Sequence, residues 1–342
     1  MRAAVYVGSG RVEAREWPMP VIGPGELLLR LSGCGLCGSD IVKIVRGTTS
    51  PPAVFGHEVV GEVVEIGKGV EAFRLSDRVV VAHHVPCFSC HYCRRGSHSM
   101  CRQFKERNLD PGGFAEYIRV PAPNVRYAAF RIPDRGRLLS DAEASFTEPL
   151  ACCLRAVKRS GAAAGDSVLV FGLGSIGLMF VQLFQRIGCQ ILAAEAVPSR
   201  QAMGRKFGAV VGDRLEDLPE MVRQLTDGRG VDCFMVTAGG ADALSWGEPL
   251  VRDGGQLHLF AGGDGVAVPV SPDRFYQREL SLTATYSSSP AELGEAFDLL
   301  CRGEVRVDQL MTHRLPLHRL DEAVALMRSR EALKVFVTGD PS

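Results

Sequence analysis

Cys34 and Cys37 stand three residues apart in the glycine-rich bend "SGCGLCGSDIV". That spacing suits a redox pair, half of a zinc knuckle, or one working ligand beside a bystander. The choice depends on the rest of the chain. "VPCFSCHYCRRGSHSMC" holds Cys87, Cys90, Cys93 and Cys101 as C-x2-C-x2-C-x7-C. Four thiolates gathered by one short loop give tetrahedral all-sulfur coordination, the closed arrangement of a structural zinc. An iron–sulfur cluster uses the same donors and is the competing reading. Zinc is favoured by the β-rich surroundings, by the dinucleotide motif further on and by the lack of a second cysteine set. His91 and His98, in the same loop, read as solvated histidines.

With those four assigned, a second group of donors remains. Cys37 is followed by Ser39 and Asp40, then by His57 and Glu58 in "FGHEVVGEV", and Glu148 follows in "FTEPLACC". Cysteine, histidine and glutamate form the mixed set that zinc accepts in catalytic sites, where three protein ligands leave one position for water or substrate. Singly, each has a plainer explanation: His57 as a core histidine, Glu58 as a strand-end charge, Glu148 as a carboxylate on a helix N-terminus.

A third constellation is built for phosphate. "VLVFGLGSIG" supplies Gly172, Gly174 and Gly177 as G-x-G-x-x-G where a predicted strand gives way to a helix. The first glycine permits the turn, the second admits a pyrophosphate against the backbone, and the third lets helix and strand pack closely. Ser175 and Ile176 open the helix, whose free N–H groups and positive dipole end favour phosphate oxygens. Glu195 ends the next strand, 18 residues after Gly177, where a carboxylate takes the adenosine ribose hydroxyls. It repels a 2′-phosphate, so NAD is expected over NADP, although Arg200 lies close enough to serve one.

The elements needed to position these groups show in the hydrophobic rhythm. Up to about residue 125 the chain is β-rich: "AAVYV", "ELLLRL", "VVGEVVEIG", "RVVVA" and "FAEYIRV" are separated by Gly, Pro and Asp turns, as in a small barrel or sandwich. From about residue 165 strands and helices alternate: "SVLVFGLG", "SIGLMFVQLFQRIG", "QILAAEA", then strands at "VDCFMVTAGG", "GQLHLFAGG" and "LSLTATY". That alternation predicts a parallel sheet covered by helices. The tail adds the helices "PAELGEAFDLLCRG" and "LDEAVALMRS" and closes on the strand "LKVFV". The fold class expected is α/β.

Bulk properties narrow the setting. A chain of 342 residues is long for one core, which favours two domains. Lys plus Arg and Asp plus Glu are equal at 39 each, so no basic surplus points to nucleic acid or an anionic membrane. The N-terminus lacks the apolar run of a signal peptide, and no segment reaches the roughly 18 apolar residues of a membrane span. Eleven cysteines without a leader fit a reducing compartment and metal ligation, hence a cytoplasmic protein.

Together "GLCGSD", "GHEVVGEV", the four-cysteine loop, "TEPLA" and "GLGSIG" resemble, in order, the motifs of the zinc-dependent medium-chain dehydrogenases of the alcohol dehydrogenase superfamily. The likeness is closest to the polyol branch, with sorbitol and threonine dehydrogenases. It implies a GroES-like catalytic domain with the structural zinc loop over residues 1–148, a Rossmann NAD-binding domain over 149–286, and a return to the catalytic domain over 287–342. It also implies NAD, two zinc ions per chain, a small-molecule alcohol as partner and a homo-oligomer, dimer or tetramer. Cys37 then matches the catalytic zinc ligand and Cys34 a small buried strand residue. His57 and Glu58 match ligands of the family's "GHE" motif. Glu148 matches the third protein position, ligating the metal or holding its water. Ser39 matches the hydroxyl that takes the substrate's proton.

Two departures stand out. Val42 replaces the histidine that commonly ends the proton relay, leaving Lys43, ribose hydroxyls, solvent, His83 or His84 to finish the route. In "LTATYSSS" Thr285 replaces the arginine that contacts substrate hydroxyls in sorbitol enzymes, while Tyr286 remains. The expected reaction is the reversible oxidation of a secondary alcohol to its ketone with NAD, on a polyol, sugar, cyclitol or amino alcohol. The rivals are a zinc-free NADP reductase of the same fold and a non-catalytic zinc-stabilised binding protein.

Overall fold

The first apolar stretch forms strand β1 (Arg2–Gly8), with Ala3, Ala4 and Val5 buried, and turns tightly into β2 (Arg11–Glu16). The coordinates are a computed structural model that describes residues 1–134, 136, 139–238, 240–261, 267 and 270–340. Gly239, Gly262 and Gly263, at the ends of two predicted strands, lie outside the described residues. Two units make up the chain: Met1–Ala151 with Ser288–Ser342, and Cys152–Ser287.

In the first unit β3 (Leu27–Gly35) leads into a helix at Gly38–Arg46, where the sequence suggested only a bend. Its Gly47 cap takes φ +64°, a left-handed conformation that favours glycine. After the short β4 (Ala53–Val54) come β5 (Glu58–Ile66), β6 (Arg78–Ala82), β7 (Tyr117–Val120) and β8 (Ala129–Arg131). β1 pairs antiparallel with both β2 and β4. The pairing that matters most is antiparallel β3 with β5, where Gly35 faces Glu58 and Cys34 faces Val59. That register sets Cys37, just past the end of β3, beside His57, just before β5. Leu27, Leu29, Val59, Val63 and Phe114 fill the core beneath.

The second unit is the expected parallel sheet. β9 (Ser167–Phe171), β10 (Gln190–Ala194), β11 (Val210–Gly212), β12 (Val231–Val236), β13 (Val251–Leu259) and β14 (Ser281–Ala284) lie in the order β11-β10-β9-β12-β13-β14. Every neighbouring pair is parallel. In order of appearance this is 3-2-1-4-5-6, the doubly wound arrangement whose carboxyl edge binds dinucleotides. β9 runs fully apolar through Val168, Leu169 and Val170, as a strand covered on both faces must.

The C-terminal stretch returns to the first unit. Its β15 (His313–Pro316) pairs parallel with β16 (Val335–Thr338), and β16 runs antiparallel to β3. A Cβ on Gly33 would lie 2.2 Å from the Phe336 ring, so only glycine allows this approach. Among the described residues no helix is long and apolar enough to cross a membrane.

Candidate active site

Cys37, His57 and Glu58 form one group, with a ligand atom of each within 4.8 Å of the others. His57 and Glu58 are buried and Cys37 is partly exposed. Glu58 Oε1 accepts from Lys334 Nζ at 2.5 Å, while Glu58 Oε2 is buried with no partner. An orphaned buried oxygen is costly. A divalent cation is the one partner that a thiolate, an imidazole and a carboxylate can share, and this donor set fits zinc. Gly35 makes the space: a Cβ there would stand 2.0 Å from Glu58 Oε2.

Two charged residues brace the trio. Asp40 Oδ1 lies 3.2 Å from His57 Nδ1 and accepts from the Gly56 N–H at 3.4 Å, while Oδ2 accepts from the Cys37 N–H at 3.3 Å. Holding Nδ1–H in this way leaves the Nε2 lone pair free for a metal. With no metal bound, burial alone would depress the His57 pKa, but Asp40 and Cys37 outweigh it and raise the value well above the usual range, so a metal at Nε2 would displace a proton there. Burial likewise opposes ionisation of Asp40, and His57 overrides it, so that carboxyl stays below its ordinary value. Lys334 is desolvated too, and Glu58 keeps it protonated.

Around the trio, Ser39 is exposed and its hydroxyl donates to Cys37 Sγ at 3.4 Å. Glu148 is buried near the start of the Thr147–Ser160 helix and stands outside the group of three. Val42 is 43% exposed, and Lys43 Nζ lies 5.8 Å over the Phe55 ring. The His83 ring is 4.6 Å from His57 and 3.6 Å from His84 between centroids. Burial pushes His83 well down, and it pushes His84 down to about 4, so both rings are neutral at physiological pH. His84 Nδ1 donates to the Arg107 carbonyl at 2.8 Å.

The four-cysteine loop is the second donor cluster, with the sulfurs of Cys87, Cys90, Cys93 and Cys101 all within 4.8 Å of one another. Cys93 Sγ lies 3.5 Å from Cys90 Sγ and 3.8 Å from Cys87 Sγ. A tetrahedron with Zn–S bonds of about 2.3 Å has edges of about 3.8 Å, so the spacing fits the ion. The Ser89 backbone N–H, then its hydroxyl and the Cys90 N–H, push Cys87 down to about 5. Burial, then the neighbouring thiols, push Cys93 up to about 12. A divalent cation lets all four ionise together. His91 is exposed, consistent with a solvated loop histidine.

The glycine turn in the second unit has the form a pyrophosphate needs. Gly172 takes φ +98°, and a Cβ on it would meet Ala238 Cβ at 2.7 Å. A Cβ on Gly177 would fall 1.9 Å from the Gly172 carbonyl, so this glycine lets the helix close on the strand. Gly174 faces open space, with nothing within 4 Å, and caps the Ser175–Arg186 helix. Ser175 and Ile176 form its first turn, with orphan N–H groups available to phosphate. Glu195 Oε2 accepts from the Leu173 N–H at 2.8 Å, and Oε1 accepts from Ala196 and Val197 at 2.8 and 3.0 Å. A carboxylate has about four acceptor positions, so one remains for a ribose hydroxyl. Arg200 is half-buried in the Pro198–Lys206 helix.

Residues 23–134 match the alcohol dehydrogenase GroES-like domain, and residues 175–302 match the zinc-binding dehydrogenase domain. The chain belongs to the medium-chain zinc-binding dehydrogenases. It is 30% identical to a sorbitol dehydrogenase of Halalkalibacterium halodurans, over 97% of this chain and 96% of that protein. It is 32% identical to an L-threonine 3-dehydrogenase of Pyrococcus furiosus, over 94% of each. A Sinorhizobium meliloti structure with NADP bound superposes with a TM-score of 0.86 at 28% identity, covering 98% of both chains.

Two residues of this dehydrogenase site escaped the sequence reading. Asp40 was visible in "GSD", and only the fold shows its carboxylate on His57. Lys334 lies 276 positions from Glu58 and meets it because β16 runs beside β3. Its only signal was a lysine second in the otherwise apolar stretch "LKVFV".

Proposed function

We propose that this dehydrogenase is a zinc- and NAD-dependent enzyme interconverting a secondary alcohol and its ketone. The substrate class is a polyol, sugar, cyclitol or amino alcohol. The observation that carries the reading is that Glu58, whose carboxylate lies within 4.8 Å of donors from Cys37 and His57, has a buried Oε2 with no partner. Cys37, His57 and Glu58 would hold the ion, with Glu148 as a further carboxylate that ligates it or holds water. When bound, zinc supplies Lewis-acid polarisation of the alcohol oxygen, and the nicotinamide supplies the hydride acceptor. Asp40 keeps the His57 ring turned with Nε2 free. Ser39, exposed beside Cys37, takes the alcohol's proton and hands it outward, to solvent or a ribose hydroxyl, since Val42 cannot carry it. Cys87, Cys90, Cys93 and Cys101 would close around a second, structural zinc.

NAD is favoured over NADP by Glu195, whose charge opposes a 2′-phosphate. A homo-oligomer in the cytoplasm belongs to the same reading, on the family resemblance and the count of eleven cysteines. The test is a panel of secondary alcohols followed by NADH absorbance, with NADPH run in parallel. Oxidation of at least one polyhydroxylated or amino alcohol, faster with NAD, is the expected result. Faster turnover with NADP would overturn the role of Glu195. Reduction of quinones or enones without alcohol oxidation would overturn the reaction class.

A further inference from the structure

A polar ladder links β13 and β14 in the second unit. His258 is fully buried, and Thr285, the first residue past β14, is 8% exposed. His258 Nδ1 lies 3.0 Å from Gln256 Nε2 and 2.9 Å from Thr283 Oγ1, and His258 Nε2 lies 2.9 Å from Thr285 Oγ1. Gln256 Nε2 also donates to Thr283 Oγ1 at 2.6 Å. An amide nitrogen carries only protons, so Nδ1 must accept. The ring proton therefore sits on Nε2 and is donated to Thr285. Burial, with Arg159 adding to it, pushes His258 down to about 4, so the ring is neutral and the tautomer is fixed.

The consequence falls on the Thr285 hydroxyl. With one lone pair engaged by His258, its own hydrogen is left to donate. Thr285 lies at the carboxyl edge of the sheet, where its N–H donates to the Leu259 carbonyl at 3.0 Å. On the same edge the Gly172 turn follows β9 and Glu195 follows β10, so the adenosine half of a dinucleotide belongs over β9 and β10. In a doubly wound sheet the other half lies over the second set of strands, here β12 to β14. Four strand spacings separate β10 from β14, about 19 Å at roughly 4.8 Å each.

We infer that Thr285 donates a hydrogen bond to the carboxamide oxygen of the nicotinamide, and that His258 is the positioning residue that aims it. The inference rests on the dinucleotide reading of this unit, and the test separates the two. NADH and ADP-ribose, which lacks only the nicotinamide, are titrated against the protein by fluorescence and calorimetry. Thr285→Val should weaken NADH about three- to tenfold, the range for one neutral hydrogen bond, and leave ADP-ribose within about twofold. Thr285→Ser should bind NADH like the parent. His258→Asn loses the Nε2 donor and should weaken NADH alone, and His258→Gln, which restores a donor near that place, should recover it. In a Thr285→Val background His258→Asn should add nothing, because both act through one hydroxyl. Unchanged NADH binding in Thr285→Val, or equal weakening of ADP-ribose, overturns the inference. So does a full additional penalty from His258→Asn in the double variant. Retained ADP-ribose binding shows that each variant has folded. Failure of the parent to bind either probe overturns the dinucleotide reading itself, and this inference with it.

Discussion

The four-thiol loop and the Cys37–His57–Glu58 group are both donor clusters of the first unit, and they are built in opposite ways. The loop draws every ligand from 15 consecutive residues, 87–101, all of them sulfur. Closed around a zinc ion, it would leave no position for substrate. The other cluster takes its donors from the end of β3 and the start of β5, mixes sulfur, nitrogen and oxygen, and is braced by Asp40 and Lys334. A loop of thiols can stiffen the chain wherever it is placed. A mixed cluster held by strand register can hold a reacting group at a fixed point, and its geometry depends on the whole sheet.

That contrast can be broken most sharply at His57. His57→Ala should remove turnover down to a background below about one-thousandth, since polarisation by a metal is worth several kcal/mol, while circular dichroism still shows a folded chain, melting lower because Asp40 is left buried without its partner. A variant that keeps a tenth of the parent's rate would mean the mixed cluster is not the reacting centre. Ser39→Ala comes next. It should slow alcohol oxidation at neutral pH by roughly 10² to 10⁴, the usual cost of a lost proton-transfer partner. The deficit should shrink at high pH, where hydroxide takes the proton directly. An unchanged kcat at neutral pH, with a deuterated substrate showing hydride transfer to be rate-limiting, would remove Ser39 from the route. The smallest effect on rate belongs to the loop. Cys93→Ser should leave kcat at 25 °C within about twofold and lower Tm by roughly 5 °C or more, because binding energy at a structural site is part of folding energy. If kcat collapsed at unchanged Tm, the two clusters would have exchanged roles.

The same contrast explains how far the sequence could be read. The loop and the glycine turn are local, so spacing alone displayed both the thiolate set and the phosphate cradle. The alternation after residue 165 announced the parallel sheet, whose strands lie in the order 3-2-1-4-5-6. The mixed cluster was found as residue types, and its bracing was not. Nothing near Glu58 in sequence announces Lys334, and nothing near Cys37 announces that Gly35 must lack a Cβ for Glu58 Oε2 to fit. Both follow from register across β5, β3 and β16, which depends on every pairing in the sheet. Glu148 shows the converse: the motif was plain, yet the structure leaves it outside the trio. The helix at Gly38–Arg46 reads only as a bend in the sequence because Gly33, Gly35 and Gly38 mask the pattern of Ile41 and Ile44 behind them.

The central claim is that this chain carries two zinc centres, one closed and one catalytic. Metal analysis of freshly purified active enzyme, paired with the same measurement on His57→Ala, tests it directly. Two zinc ions per chain in the parent, and one in the folded, inactive variant, are predicted. One zinc per chain in a fully active parent would contradict the account.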